Sequence, residues 1–272
     1  MIETATKKEE PTPVYRKDYQ PPNHWIERVD LTFQVNDGEC LVGARMEIRR
    51  NGDVNPGDAP LELVGEELDL RGVSLDGRPL DAGAYRSSPD ALVIPSPPDS
   101  FVLETQVAIH PESNTQLSGL YASSGNLCTQ CEAEGFRRIT YFLDRPDVMA
   151  RYTVRIEADK ERYPVLLSNG NRTGAGELEG GRHFVSWEDP FPKPSYLFAL
   201  VAGKLECYRD SFTTMSGREI PLEIWVEPQN IDRCEHAMVS LKKAMKWDED
   251  VFGLEIDLDL YMIFVADDFN MG

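Results

Sequence analysis

VDLTFQVNDGECLVGARMEIRR, residues 29–50, decides the fold class of this chain. Apolar residues fall at alternate positions: Val29, Leu31, Phe33 and Val35, then Val42, Ala44, Met46 and Ile48. That period puts each set on one face of an extended strand, since successive side chains of a strand point to opposite sides. Between the runs, Asn36-Asp37-Gly38 has the chemistry of a hairpin turn, where glycine takes a positive φ without a Cβ clash. The stretch predicts two antiparallel strands with one buried face.

The same texture continues outward. Turn dipeptides recur at Asn51-Gly52, Asp76-Gly77 and Asn169-Gly170, and FVLETQVAI (101–109) alternates again. RYTVRIEAD, YPVLLSNG, HFVSWED and YLFALVAG supply further strands between residues 151 and 203. No helical period interrupts them, so residues 15–203 are expected to form a mainly antiparallel β domain, a curved sandwich or saddle. From residue 204 the pattern shifts. DSFTTMSGREIPLEIWVEP reads as a hairpin turning at Ser216-Gly217. Cys234, Met238, Leu241, Met245 and Phe252 then predict one face of a helix, with Asp232 and Glu235 as a capping box and Gly253 as the C-terminal cap. LDLYMIFVAD (258–267) is expected to be a strand buried on both faces. Because such a strand should lead into more structure, the chain reads as cut at DDFNMG.

At 272 residues, with 41% hydrophobic and 28% charged residues, the composition is that of an ordinary globular protein. The net charge of -19, from 28 basic and 47 acidic residues, argues against nucleic acid and anionic membrane surfaces as partners. No apolar run approaches the ~18 residues that a bilayer-spanning helix needs. The opening MIETATKKEEPTPVYRKDYQPP lacks the apolar segment of a signal peptide. Residues 1–14 are expected to be a mobile tail, and the protein to be cytoplasmic. Five cysteines are too few, and odd in number, for a disulfide framework.

The chemistry is incomplete. The four histidines are His24, His110, His183 and His236, and none is spaced for H-E-x-x-H zinc binding. No nucleophile motif and no Gly-rich phosphate loop is present. The stretch CTQCEAEGFRRITYFLDRPD (128–147) stands apart, crowding carboxylates and arginines among Phe136, Tyr141 and Phe142. Its Cys128-x-x-Cys131 pair is open to three readings: half of a zinc site, a redox pair, or two thiols packed in a turn. The all-β surroundings favour the last. Its charges allow two readings: ion pairs that pin an irregular segment, or a carboxylate left unpaired on a cleft wall to receive a cation.

CTQCEAEGFRRITYFLDRPDV, LSNGNR, WEDPFPKPSYLFALVAG, KWDEDVFGLEIDLDLYMI and the terminal FNMG together resemble the bacterial aminopeptidase N family of zinc-dependent aminopeptidases with a thermolysin-like catalytic domain. The resemblance runs over nearly the whole chain. It implies that residues 204–272 open the catalytic domain. The zinc ligands, the general base and a transition-state tyrosine would then lie beyond Gly272, leaving no catalytic or metal residue here. It further implies that Glu132 holds the α-ammonium group of a peptide substrate, and that Gln130 lines the first side-chain pocket. Met271 would cushion that pocket, and Gly272 would lie along the substrate backbone. The implied partners are peptides with a free N-terminus and the remaining catalytic and C-terminal domains. The competing expectation is a non-catalytic β-sandwich interaction module that docks a partner chain through the strand at 258–265.

Overall fold

The computed structural model describes residues 13, 15–54, 57, 59–267 and 269. The expected tail at 1–14 lies almost wholly outside the described residues, as do Met271 and Gly272. In chain order the strands begin with β1 (His24–Val35), β2 (Cys40–Arg50), β3 (Leu61–Val64), β4 (Asp69–Leu75), β5 (Arg78–Pro79), β6 (Arg86–Ser87), β7 (Ala91–Ile94), β8 (Ser100–Ile109) and β9 (Gly119–Ser123). They continue with β10 (Asn126–Gln130), β11 (Met149–Asp159), β12 (Val165–Ser168), β13 (Asn171–Glu177), β14 (Arg182–Pro194), β15 (Leu200–Gly203), β16 (Glu206–Thr213), β17 (Glu219–Val226) and β18 (Tyr261–Phe264). A single helix among the described residues, α1 (Glu235–Phe252), lies between the last two strands.

The alternation at 29–50 becomes the spine of an eight-stranded sheet ordered β13-β14-β11-β1-β2-β8-β4-β5. Phe33 pairs with Val42, Leu31 with Ala44 and Val29 with Met46, so the buried faces of β1 and β2 coincide. Gly38 adopts φ +79°, and the Asn36 N–H donates to Glu39 O at 3.0 Å, closing the turn. The sheet is antiparallel at every pairing but one. β11 lies parallel to β1, with Leu31 opposite Val154, because the chain returns to this sheet only after a long excursion through other sheets. Two smaller sheets, β12-β15-β10-β9 and β3-β7-β6, complete the larger apolar cluster.

A second cluster of buried residues joins β16-β17-β18 to α1 through Ile220, Leu222, Ile224, Met238 and Leu241. The hairpin turns where expected, with Gly217 at φ +88°, and Gly253 caps α1 at φ +66° with its N–H on Glu249 O at 3.0 Å. Three expectations need correction. Asp232 and Glu235 form no capping box: a 3-10 turn, Pro228–Arg233, runs into the helix, and Cys234 O takes the Met238 N–H at 3.0 Å instead. Phe252 is 60% exposed, since the last turn of α1 presents Glu249 to the β16–β17 hairpin instead, and Trp247 meets Phe252 edge-on at 5.2 Å. Glu249 takes the inward position and accepts the Met215 N–H at 2.9 Å. Lastly, the strand at 258–267 shortens to Tyr261–Phe264, a half-exposed edge parallel to β17 rather than a strand covered on both faces.

Candidate functional site

The anomalous stretch begins on β10, whose Cys128 pairs with Tyr121 on β9 and Val201 on β15. Asn126, Leu127, Cys128 and Thr129 are all buried, and the strand surfaces at Gln130. Cys131 turns back into the core and the chain then projects Glu132, Ala133 and Glu134 outward. A tight turn follows, in which the Gly135 N–H donates to Cys131 O at 2.8 Å. Glycine is needed there, since a Cβ would strike Gln130 O and come within 2.9 Å of both Cys131 Cα and Ser118 Oγ. A 3-10 turn, Phe136–Arg138, closes the loop.

The aromatic content of this stretch answers to packing. Phe136 lies 4.9 Å from Phe142 and 5.3 Å from Phe198, ring centre to ring centre, both edge-on, with Tyr152 at 6.1 Å. These edge-to-face contacts anchor the loop in the core. Its arginines are committed inward as well. Arg137 Nε lies 3.0 Å from Asp144 Oδ2, and its Nη2 lies 3.3 Å from Glu134 Oε1. Arg138 pairs with Glu66 at 3.0 Å and with Glu67. Arg145 grips Asp147 in a bidentate pair at 2.9 and 2.7 Å. The pinning ion pairs read from the sequence are therefore present, but Arg138 reaches across to the segment after β3 for its partners.

One carboxylate is left over. Glu132 is exposed, and no ion pair to its side chain is found among the described residues. Its backbone O accepts a long hydrogen bond, 3.4 Å, from Gln130 Nε2, which places the two side chains on one patch. Gln130 is half-buried and Glu132 exposed, so the described residues make an open wall there. A free carboxylate beside an amide can accept donors from a cationic amine and contact what is attached to it.

The cysteines behave as packed thiols. Both are free and buried. Burial, with Asp144 next in effect, pushes the Cys131 thiol far up, and burial raises Cys128 too. Neither is a ready thiolate for metal or redox work. No group of three or more His, Cys, Asp or Glu among the described residues is arranged to hold a metal ion.

Residues 70–197 match the family description Peptidase M1 N-terminal domain. The chain contains a peptidase M1 N-terminal domain. The match ends just short of β15, and it takes in Gln130, Glu132, Arg137 and Asp144. Beyond it, aminopeptidase N of Escherichia coli (strain K12) is 54% identical over 264 residues, 97% of this chain and 30% of that protein. Aminopeptidase N of Haemophilus influenzae is 49% identical over 261 residues, 95% of this chain and again 30% of the relative. Among solved structures, Legionella pneumophila aminopeptidase A in complex with aspartic acid superposes with a TM-score of 0.90 at 37% identity, over 94% of this chain and 30% of that one. The M1 chain thus spans about 30% of the length of the relatives it matches.

Proposed function

We propose that this M1 chain supplies the wall that reads the free amine in a zinc aminopeptidase, with Glu132 receiving the α-ammonium group and Gln130 lining the first side-chain pocket. The observation that carries the reading is the unpaired, outward Glu132 carboxylate in a loop whose arginines all have other partners. A peptide α-amine has a pKa of about 7.7–8.0 and is largely cationic at neutral pH. A carboxylate separates it from an internal amide by charge and by donor count. That distinction makes cleavage proceed from the chain end.

In this reading residues 15–203 are the N-terminal β domain and 204–272 open the catalytic domain, with Met271 and Gly272 brought to the same pocket by sequence that follows. The described residues do not fit a zinc site, so the metal would be held beyond residue 272, where it would polarise the scissile carbonyl and a water. The partners are then peptides with a free N-terminus and the remaining domains of the same protein. A cytoplasmic location accords with five free cysteines.

The test is Glu132→Gln in the longer protein. Aminopeptidase activity on aminoacyl substrates should fall severely while zinc content stays at the wild-type level; unchanged kinetics would remove Glu132 from the site. An interaction module is the second reading, favoured by the exposed apolar residues Trp247, Phe252, Tyr261 and Val265 around α1 and β18. The coding sequence after residue 272 decides between them: an Ala-Met-Glu-Asn continuation, completing with Gly272 the G-A-M-E-N motif of the aminopeptidase family, and a later H-E-x-x-H mean an enzyme; a stop means a module.

A further inference from the structure

Beneath the Glu132 loop lies a buried carboxylate with no route to solvent. The Asp144 side chain is 1% exposed. Its Oδ1 accepts the Ser195 hydroxyl at 2.6 Å, and its Oδ2 accepts the Arg137 backbone N–H at 3.1 Å and Nε–H at 3.0 Å. Its carbonyl O accepts Arg137 Nη2 at 3.2 Å. Burying a carboxylate is costly unless it is paired and fully bonded, and this one is both.

The geometry gives these bonds a purpose beyond packing. Glu132 sits between Cys131, whose buried thiol lies close enough to Asp144 to feel its charge, and Arg137, which Asp144 binds directly. Arg137 is the cation five residues from Glu132, and its outer nitrogens already reach carboxylates, Glu134 at 3.3 Å and Glu66 at 3.9 Å. An arginine side chain released from Asp144 would be freed within the loop that carries Glu132, the one exposed carboxylate of that loop with no ion pair among the described residues.

We propose that Asp144 is a positioning residue: it holds Arg137 inward, so that Glu132 stays free of an internal partner and ready for a substrate amine. The proposal rests on the amine-binding reading of Glu132. Asp144 touches no substrate in it. Ser195, which follows β14 and opens a 3-10 turn (Ser195–Leu197), is the brace that orients the Asp144 carboxylate, and it ties the loop to the segment that carries Phe198.

The experiment uses the full-length protein, with Glu132→Gln, Asp144→Asn, the double variant and Ser195→Ala, each assayed for KM and kcat on an aminoacyl substrate. Asp144→Asn keeps the shape but removes the charge that holds Arg137. It should raise KM by about 10- to 100-fold, the factor expected when only about 1–10% of molecules keep Glu132 free of Arg137, with kcat changed much less. The double variant should be no worse than Glu132→Gln alone, because Asp144 acts through Glu132. Ser195→Ala should raise KM by a smaller factor in the same direction. An impaired Glu132→Gln beside an Asp144→Asn with wild-type KM overturns the positioning role, as do penalties that simply add. If Asp144→Asn does not fold, Ser195→Ala decides, and an unchanged KM there overturns the proposal. A Glu132→Gln enzyme with wild-type kinetics instead brings down the amine-binding reading, and this inference with it.

Discussion

Asn126 and Glu227, 101 residues apart in sequence, are joined by a buried hydrogen bond of 3.3 Å from Asn126 Nδ2 to Glu227 Oε1. Asn126 opens β10, the strand that delivers Gln130, and Glu227 follows β17, the central strand of the second cluster. The amide works in both directions: its Oδ1 accepts the Lys204 N–H at 3.0 Å, fixing the link between β15 and β16. Gly203 is required beside it, since any Cβ would collide with that oxygen. Gln229 extends the contact, donating to Glu227 at 2.9 Å and to Asp267 at 2.8 Å.

Asn126→Ala should therefore uncouple the two clusters. The variant leaves the Lys204 N–H without its acceptor and removes the Asn126 donor from Glu227 Oε1, while Oε2 keeps Gln229; the loss is about 1–3 kcal/mol for groups left buried and unsatisfied. Hydrogen exchange should speed up first in β16 and β17, ahead of β1 and β2. Equal acceleration in all four strands would mean that the bond does not join separately opening units.

His24 gives an acid-sensitive term. It is 1% exposed, its Nε2 has no partner, and Phe101 lies edge-on at 6.5 Å. Burial, helped by the Arg50 charge, lowers its pKa to about 4 from an ordinary 6.5. The unfolded chain then binds the proton that the folded chain refuses, so this contribution is complete above pH ~6.5 and is lost as pH falls towards ~4, some 3 kcal/mol in all. His24→Leu should flatten that part of the stability profile. Urea unfolding at pH 7 and pH 4.5 measures it; equal losses for the wild type and the variant between those pH values would place the acid sensitivity elsewhere.

Thiol reactivity should sort the cysteines by burial. Cys207 is half-buried, and burial followed by the Glu223 charge raises its pKa to about 11. Cys40, Cys128 and Cys131 are buried in the larger cluster. In the native protein a neutral-pH thiol reagent should label Cys207 first, slowly, and these three, with Cys234 buried in the smaller cluster, only after unfolding. Fast native labelling of Cys128 or Cys131 would revive a redox role for the pair.

How far the sequence could be read depended on whether the signal was periodic. In the large sheet β1, β2, β8, β11 and β14 were legible because apolar residues alternate along each of them, as in Val29 to Val35 and Val42 to Ile48, whereas β4, β5 and β13 carry too few apolar residues to show that period. The β1–β11 pairing was not, since nothing in the alternation of RYTVRIEAD says which neighbour it takes or in which direction. The face of α1 was legible to Met245 and wrong at Phe252, because Glu249, a charged residue that periodicity passes over, takes the buried place in the last turn. At the candidate site, Gln130 and Glu132 came from resemblance alone. The Arg137–Asp144–Ser195 network was hidden because its ends are 58 positions apart, and only the fold brings Ser195, just past β14, onto Asp144.

Gly135 provides the sharpest local test of how the Glu132 loop is held. Its backbone is ordinary for an L residue, with φ -86° and ψ -15°, so any penalty on substitution comes from space alone. A methyl group would press on Gln130 O, Cys131 Cα and Ser118 Oγ, and two of those three are backbone atoms that cannot rotate away. Gly135→Ala should destabilise the chain by about 1–3 kcal/mol, the range for overpacking a close-packed site. It should also push the 131–135 turn outward and displace Gln130 and Glu132 together. Thermal unfolding of the chain reads the first effect, and KM of the longer protein in its proposed reaction on an aminoacyl substrate reads the second. A variant with lowered stability but unaltered KM would show that the turn can move without carrying the amine-reading pair, and would separate the fold of this loop from its proposed task.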